Sequence, residues 1–222
     1  IDPRPPKEFK TVFPVQWVNR PGASFRGFSG TLASGQLAVG NEVRVTASGQ
    51  TAKIARIVTA NGDLDCANPS DAITLVLDRE VDSSRGDILA RAEQPLEMTD
   101  QFEATLVWMH DEPGLIGRSY EIKLANQWAS ASLTALKHRI DVNTQAQESC
   151  RQLQLNDIAV ANLALSKPLV FDTYAQSHTL GGFLLVDKYT HSTVAAGMIR
   201  HNLRRAQNVH RQALSITRED RE

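Results

Sequence analysis

The residues of this sequence that could do chemistry are scattered along the chain. The six histidines form no HxH or HExxH pattern, and the two cysteines, Cys66 and Cys150, form no CxxC pair. Asp63 and Asp65 have a spacing that could ligate a hard cation, but they follow Asn61-Gly62, a preferred pair for a hairpin turn. We therefore predict a turn here and no metal site. Two buried free thiols are favoured over a disulfide.

The sequence also lacks the motifs of nucleotide binding and nucleophilic catalysis. It contains no GxxxxGK[ST] loop, no GxGxxG between a strand and a helix, and no serine in GxSxG. The acidic pair Asp111-Glu112 precedes a Pro-Gly turn and predicts a solvated loop, and the basic triplet Lys137-His138-Arg139 lies on a predicted strand and indicates polar surface contacts. We expect no catalytic, cofactor-binding or metal-binding residue in this chain.

Length and charge narrow the class of protein. The chain has 222 residues, 24 Lys and Arg against 25 Asp and Glu, and a formal net charge of −1. Affinity for phosphate backbones comes from Lys and Arg, so this balance argues against nucleic acid as the main partner. No apolar run approaches the roughly 20 residues of a membrane span, and Ile1-Asp2-Pro3-Arg4 is typical of a linker. We predict a cytoplasmic protein with no membrane partner.

Short strand-like runs dominate the sequence and predict the fold. Glu42–Ala47 and Gln50–Thr59 belong to a first series of runs separated by glycine-containing turns, and Gln101–Met109 begins a second series. Strands and turns at this spacing predict an all-β protein with two consecutive β-barrels. Asn143–Leu153 could be a loop or a short turn of helix. From Arg200 onward, apolar residues three to four apart predict a short amphipathic helix in the C-terminal linker.

Composition also predicts where the domains begin and end. A polar, proline-bearing stretch from Ala92 to Thr99 separates the two series of strands, and the proline-rich start and the charged end have the composition of linkers. The predicted order is a linker over residues 1–8, a first β-barrel over 9–93, a linker over 94–100, a second β-barrel over 101–200, and a linker over 201–222.

Several segments resemble a known family. Gly30–Val43 is similar to the G-x-L-x-x-G-x-L-x-x-G-x-x-V pattern in the second domain of translation-factor GTPases of the EF-Tu type, where glycines permit sharp turns. Other segments resemble the GTPase (large) subunit of bacterial sulfate adenylyltransferase. They are Phe13–Pro21, Val107–Tyr120, Leu136–Thr144, Leu155–Ala159, Pro168–Tyr174 and Thr193–Ile199. Asn208–Arg221 resembles the lead-in to an adenylylsulfate kinase domain, whereas Ser177–Gly182 departs from the family pattern.

The resemblance implies a function for the protein to which these barrels belong. Such an enzyme joins sulfate to the adenylyl group of ATP, giving adenosine 5′-phosphosulfate and pyrophosphate, and it uses GTP, ATP and Mg²⁺ at sites outside these residues. Its expected partners are its own G domain, a fused kinase domain and the small catalytic subunit of sulfate adenylyltransferase. The barrels would be a non-catalytic scaffold whose domains move relative to the G domain with nucleotide state.

One loop is the candidate for contact with another domain. Between Arg20 and Gly30, the side chains of Phe25, Arg26 and Phe28 place aromatic rings and a charge among glycines, and aromatics and arginine are enriched at interfaces. We predict an interface formed by Arg20, Phe25, Arg26 and Phe28, with an internal core role for the two phenylalanines as the open alternative. The competing function is that of translation-factor barrels that bind aminoacyl-tRNA. An all-β adaptor unrelated to GTPases is a third.

Overall fold

The computed structural model describes residues 10–22 and 25–203, and these residues are nearly all β. Side chains alternate between core and solvent along the strands: in Glu42–Val45 the two valines are buried and the two charged residues are exposed. That period of two is what a pleated strand with one buried face requires. No helix in this described part is long and apolar enough to cross a membrane.

The first barrel is built from ten short strands around one core. They are β1 (Phe13–Pro14), β2 (Trp17–Gly22), β3 (Phe25–Thr31), β4 (Leu37–Ala38), β5 (Glu42–Val45), β6 (Thr51–Thr59), β7 (Gly62–Leu64), β8 (Cys66–Ala67), β9 (Ala72–Leu77) and β10 (Ile88–Arg91). The main sheet is antiparallel in the order β1-β10-β5-β6-β9-β3-β2. A Cβ added at Gly30 would lie 2.3 Å from the carbonyl oxygen of Pro14, so glycine lets β3 approach β1 closely.

The second barrel has longer strands and is closed. Its elements are β11 (Glu97–Trp108), β12 (Gly114–Leu115), β13 (Ser119–Leu124), β14 (Gln127–Ile140), β15 (Gln147–Glu148), β16 (Gln152–Leu153), β17 (Ile158–Phe171), α1 (His178–Gly181), β18 (Gly182–Val186) and β19 (Thr193–Asn202). Six strands run in the order β13-β18-β19-β11-β17-β14, and β14 pairs back with β13. Closure leaves these strands without a free edge. The edge-to-face pairs Phe102–Phe183 and Trp108–Tyr120 fill the interior.

A third apolar cluster joins the two barrels. Val12 and Ile88 of the first barrel pack with Val170 and Leu180 of the second, and each of the four is at most 2% exposed. Partly buried side chains surround them, namely Ala33, Leu96, Met98 and Ala125. Since burial of a full aliphatic side chain contributes about 1.5–3 kcal/mol, the barrels share a contact that favours one fixed arrangement.

The two-barrel prediction is confirmed, and the structure adds where its elements begin and end. β11 begins at Glu97, inside the predicted linker 94–100, because Glu97–Thr99 already pairs with β17 before a bulge. Of the two alternatives for Asn143–Leu153, the structure shows the loop, with turns and the two-residue strands β15 and β16 and no helix. The helix predicted from Arg200 is wrong at its start, because residues 200–202 belong to β19, and its part from residue 204 onward lies outside the described residues. So do the predicted linker over residues 1–8 and the segment resembling a kinase lead-in.

Candidate interaction sites

The β2–β3 hairpin carries the four residues predicted to contact another domain. Arg20 is exposed near the end of β2, and Phe25 and Arg26 are half-buried at the start of β3. Phe28 is 1% exposed and belongs to the core of the first barrel, so it takes the internal role that the sequence left open. A contact through Arg20, Phe25 and Arg26 stays a prediction.

A guanidinium fixed on an aromatic ring forms the centre of this hairpin. The Cζ atom of Arg26 lies 5.1 Å from the centroid of the Phe28 ring, and Arg26 Nη2 donates to the carbonyl oxygen of Ser83 at 3.0 Å. Arg26 Nε and Ser83 Oγ are buried with no hydrogen-bond partner among the described residues. A cavity of about 280 Å³ lies beside them, lined in part by Phe25 and Arg79. The cavity has room for a small polar group that could contact the Arg26 side chain.

A larger cavity of about 590 Å³ lies in the cleft between the barrels. Lys10 and Ser34 line it from the first barrel, and Asp172 and His178 from the second. The segment Ser177–Gly182, which departs from the family pattern, forms α1 here. Ser177 Oγ accepts from the N–H of Leu180 at 3.2 Å and thereby caps this single helical turn. The departure from the family pattern therefore lies at the junction of the barrels.

Both ends of the described barrels meet at this cleft. A neighbouring cavity of about 240 Å³ shares Lys10, Asp172 and Gln176 with the larger one and reaches His201 and Asn202 at the end of β19. Lys10, just before the first strand of the first barrel, and the end of β19 therefore lie close together in space.

Charged side chains on the second barrel form structural ion pairs. Glu103 is 5% exposed and lies within ion-pair distance of Lys137, Arg200 and His201. Burial raises the pKa of Glu103, but the hydrogen bond and charge of Lys137 and the charges of the two β19 residues outweigh burial, and the net pKa is lowered. Arg139 pairs with Glu148 at 2.7 Å. The polar contacts predicted for the basic triplet are confirmed for Lys137 and Arg139.

The hairpin between β18 and β19 is held by one buried carboxylate. Asp187 Oδ1 accepts from the N–H groups of Tyr189 and Thr190 at 2.9 and 3.0 Å, and Oδ2 accepts from Arg118 Nη2 at 2.9 Å. These hydrogen bonds, led by those from Thr190 and Tyr189, lower the pKa of Asp187 to about 2. Arg118 also pairs with Glu112. Sequence reasoning missed this network, since Arg118 and Asp187 are 69 positions apart.

The remaining reactive groups of the described residues do not cluster as metal ligands. No group of three or more His, Cys, Asp or Glu side chains that could hold a metal ion occurs among the described residues. Cys66 and Cys150 are both free. The burial predicted for them is wrong for Cys66, which is exposed, whereas Cys150 is half-buried and its pKa is raised by burial. Asp63 closes the predicted β6–β7 hairpin and pairs with Arg56 at 2.7 Å.

Comparison with known proteins identifies the family. Residues 101–200 match the family model described as GTP-eEF1A C-terminal domain-like. The bifunctional enzyme NodQ of Azospirillum brasilense is 47% identical over 209 residues, which are 94% of this chain and 34% of NodQ. Sulfate adenylyltransferase subunit 1 of Saccharophagus degradans is 44% identical over 193 residues, 87% of this chain and 41% of that subunit. The chain belongs to the NodQ and sulfate adenylyltransferase subunit 1 family.

The family resemblance predicted from the motifs is therefore confirmed. The bifunctional enzyme CysN/CysC of Xylella fastidiosa is a further relative, 42% identical over 91% of this chain and 33% of its own length. The chain thus spans about a third of the length of these bifunctional relatives. Among solved structures, Sup35 in complex with GDP matches with a TM-score of 0.79 at 18% identity, over 88% of this chain and 48% of Sup35. This likeness confirms the translation-factor type of fold.

Proposed function

We propose that this chain is the double-barrel part of a GTP-dependent sulfate adenylyltransferase and takes no part in bond making itself. The observation that carries the proposal is the identity of 44–47% to sulfate adenylyltransferase subunit 1 and NodQ over nearly the whole chain. The parent protein would help to join sulfate to the adenylyl group of ATP, releasing pyrophosphate. GTP, ATP and Mg²⁺ would bind to parts of the parent outside these barrels.

The packing of the barrels supports a scaffold role. Val12 and Ile88 share a buried cluster with Val170 and Leu180. A movement of one barrel would therefore carry the other barrel with it. Rigid units that repack across an interface are a common way for a nucleotide-driven domain to act at a distance. A G domain joined before Lys10 and a kinase domain joined after Asn202 would both be tethered at the cleft, because both residues line it.

The β2–β3 hairpin supplies the proposed contact with the G domain. The half-buried Arg26 is held against Phe28 and Ser83, and Phe25 beside it in the hairpin is also half-buried, so part of each side chain is accessible to a partner. A fixed arginine beside an aromatic ring suits a carboxylate or a backbone carbonyl of a neighbouring domain. The further partner is the small catalytic subunit, and we place the assembly in the cytoplasm.

Calorimetry on this chain alone, with the parent as control, tests the proposal. The chain should show no heat of binding with GTP at micromolar concentrations, whereas the parent should bind GTP and, with its catalytic subunit, form adenosine 5′-phosphosulfate. Micromolar GTP binding by the barrels, or a parent that makes no adenosine phosphosulfate, would contradict the proposal. The tRNA alternative requires binding of aminoacyl-tRNA that weakens steeply with salt, and we expect none.

A further inference from the structure

A row of three side chains crosses the outer face of the second barrel. In the strand register, Lys123 on β13 lies opposite Trp128 on β14 and opposite Leu184 on β18. Trp128 is 43% exposed and Leu184 is 38% exposed, and the ammonium of Lys123 lies 5.6 Å from the centroid of the Trp128 ring. Two large apolar side chains exposed on one strand face, with a lysine between them, are a candidate interaction site.

Lysine side chains lie around Trp128 and Leu184. The three side chains line a shallow cavity of about 490 Å³ together with Glu121, Val186, Lys188, His191 and Thr193. Lys123 and Lys188 outnumber the single carboxylate of Glu121. The cavity therefore has an apolar floor and a positively charged rim, which complements a surface with an apolar side chain between carboxylates.

The adjoining hairpin projects an aromatic ring from a fixed backbone. Tyr189 is 90% exposed, and it follows Asp187, whose carboxylate accepts from the Tyr189 and Thr190 N–H groups and from Arg118. A turn fixed in this way loses little conformational entropy on binding. Exposed tyrosine and tryptophan on a preorganised scaffold are the residue types that dominate binding energy at protein interfaces.

The position of these side chains favours one kind of binding partner over the others. The β18–β19 hairpin is at the opposite end of β19 from Asn202, roughly 30 Å away at about 3.3 Å per residue. A domain tethered at the cleft starts at the far end of the barrel, so a separate subunit fits this face better. A nucleic acid fits it poorly, because two lysines beside a glutamate supply few of the phosphate contacts on which its affinity depends.

We propose that this Trp128 face, formed by Lys123, Trp128, Leu184, Lys188 and Tyr189, docks the catalytic subunit through an acidic surface carrying an apolar side chain. The inference rests on the proposed function, which supplies the partner. It adds to that function the place of docking and the chemistry that the partner must present.

Binding of the full-length parent to its catalytic subunit, measured by calorimetry at low and moderate salt, tests the inference. Trp128→Ser and Tyr189→Ser should each weaken binding about thirtyfold, the effect of losing an interface anchor. The matched control is Trp17→Ser, which removes a tryptophan that is 62% exposed on the first barrel and should change the affinity less than about twofold. The double variant Lys123→Glu and Lys188→Glu should weaken binding and reduce its dependence on salt.

The outcomes separate the inference from the function on which it rests. Unchanged affinity for the Trp128 and Tyr189 variants, with binding by the unaltered parent intact, would overturn the docking site and leave the proposed function standing. A parent that does not bind the catalytic subunit at all would overturn both. If the parent binds tRNA and Trp128→Ser abolishes that binding, the proposal that a protein docks on this face would be overturned. Thermal melts of each variant confirm that it is folded, as expected for exposed positions.

Discussion

The cluster between the barrels should determine whether they behave as one unit, and Leu180→Ala is the most direct perturbation of it. Leu180 is fully buried among residues from both barrels, and alanine, like leucine, is a good helix former, so we expect the substitution to leave the backbone of α1 in place. Loss of a fully buried leucine side chain, with the cavity it leaves, costs about 2–5 kcal/mol. For a chain of this size, about 3 kcal/mol corresponds to a fall in Tm of about 6–12 °C.

Hydrogen exchange can distinguish a loss of interface from a loss of stability within one barrel. Leu163→Ala is the matched control, because Leu163 is 1% exposed within the core of the second barrel. Both variants should have a lower Tm, but only Leu180→Ala should speed amide exchange in β1 and β10 of the first barrel, measured under native conditions. If exchange in β1 and β10 is unchanged by Leu180→Ala, the cluster does not couple the barrels and the reasoning is wrong.

Three further predictions concern single residues. Gly30→Ala should destabilise the chain by about 2–3 kcal/mol in urea unfolding, because the added Cβ meets the carbonyl oxygen of Pro14, whereas Gly40→Ala, whose Cβ meets nothing, should cost only about 1 kcal/mol for its positive φ. The pKa of Asp187, about 2 against an ordinary 3.8, means that its stabilising contribution is complete above about pH 4 and is lost as the pH falls through 2; Asp187→Asn should flatten that acid limb in pH-dependent melts. Cys66 should react with a thiol reagent faster than the other cysteine, because it is exposed and the other thiol has a raised pKa; equal rates would contradict this.

Local sequence predicted the strands and turns well. Apolar alternation and glycine punctuation are short-range signals, and Gly35 and Gly40 do adopt the positive φ values of +73° and +86° that the family pattern indicates. Local signals failed where a strand continues only because of a distant partner. β11 extends back to Glu97 because residues near Phe171 pair with it, and nothing near position 97 in the sequence indicates this.

The candidate sites were harder to predict than the fold. Alternation places Gln127 and Trp128 on opposite faces of a strand but does not decide which face points inward. The structure buries Gln127, whose side chain bonds to Val170, and thereby exposes Trp128. Phe28 was a candidate for contact because aromatic residues are enriched at interfaces, but the structure places it in the core of the first barrel.

The sequence by itself therefore determined the class of fold, the hairpin turns and the family, because these follow from periodicity, glycine conformation and motif order along the chain. Only the tertiary structure brought together Arg118 with Asp187, and Lys123 with Leu184. Barrel closure pairs strands that are far apart in sequence, and the register of that pairing decides which side chains meet on the surface.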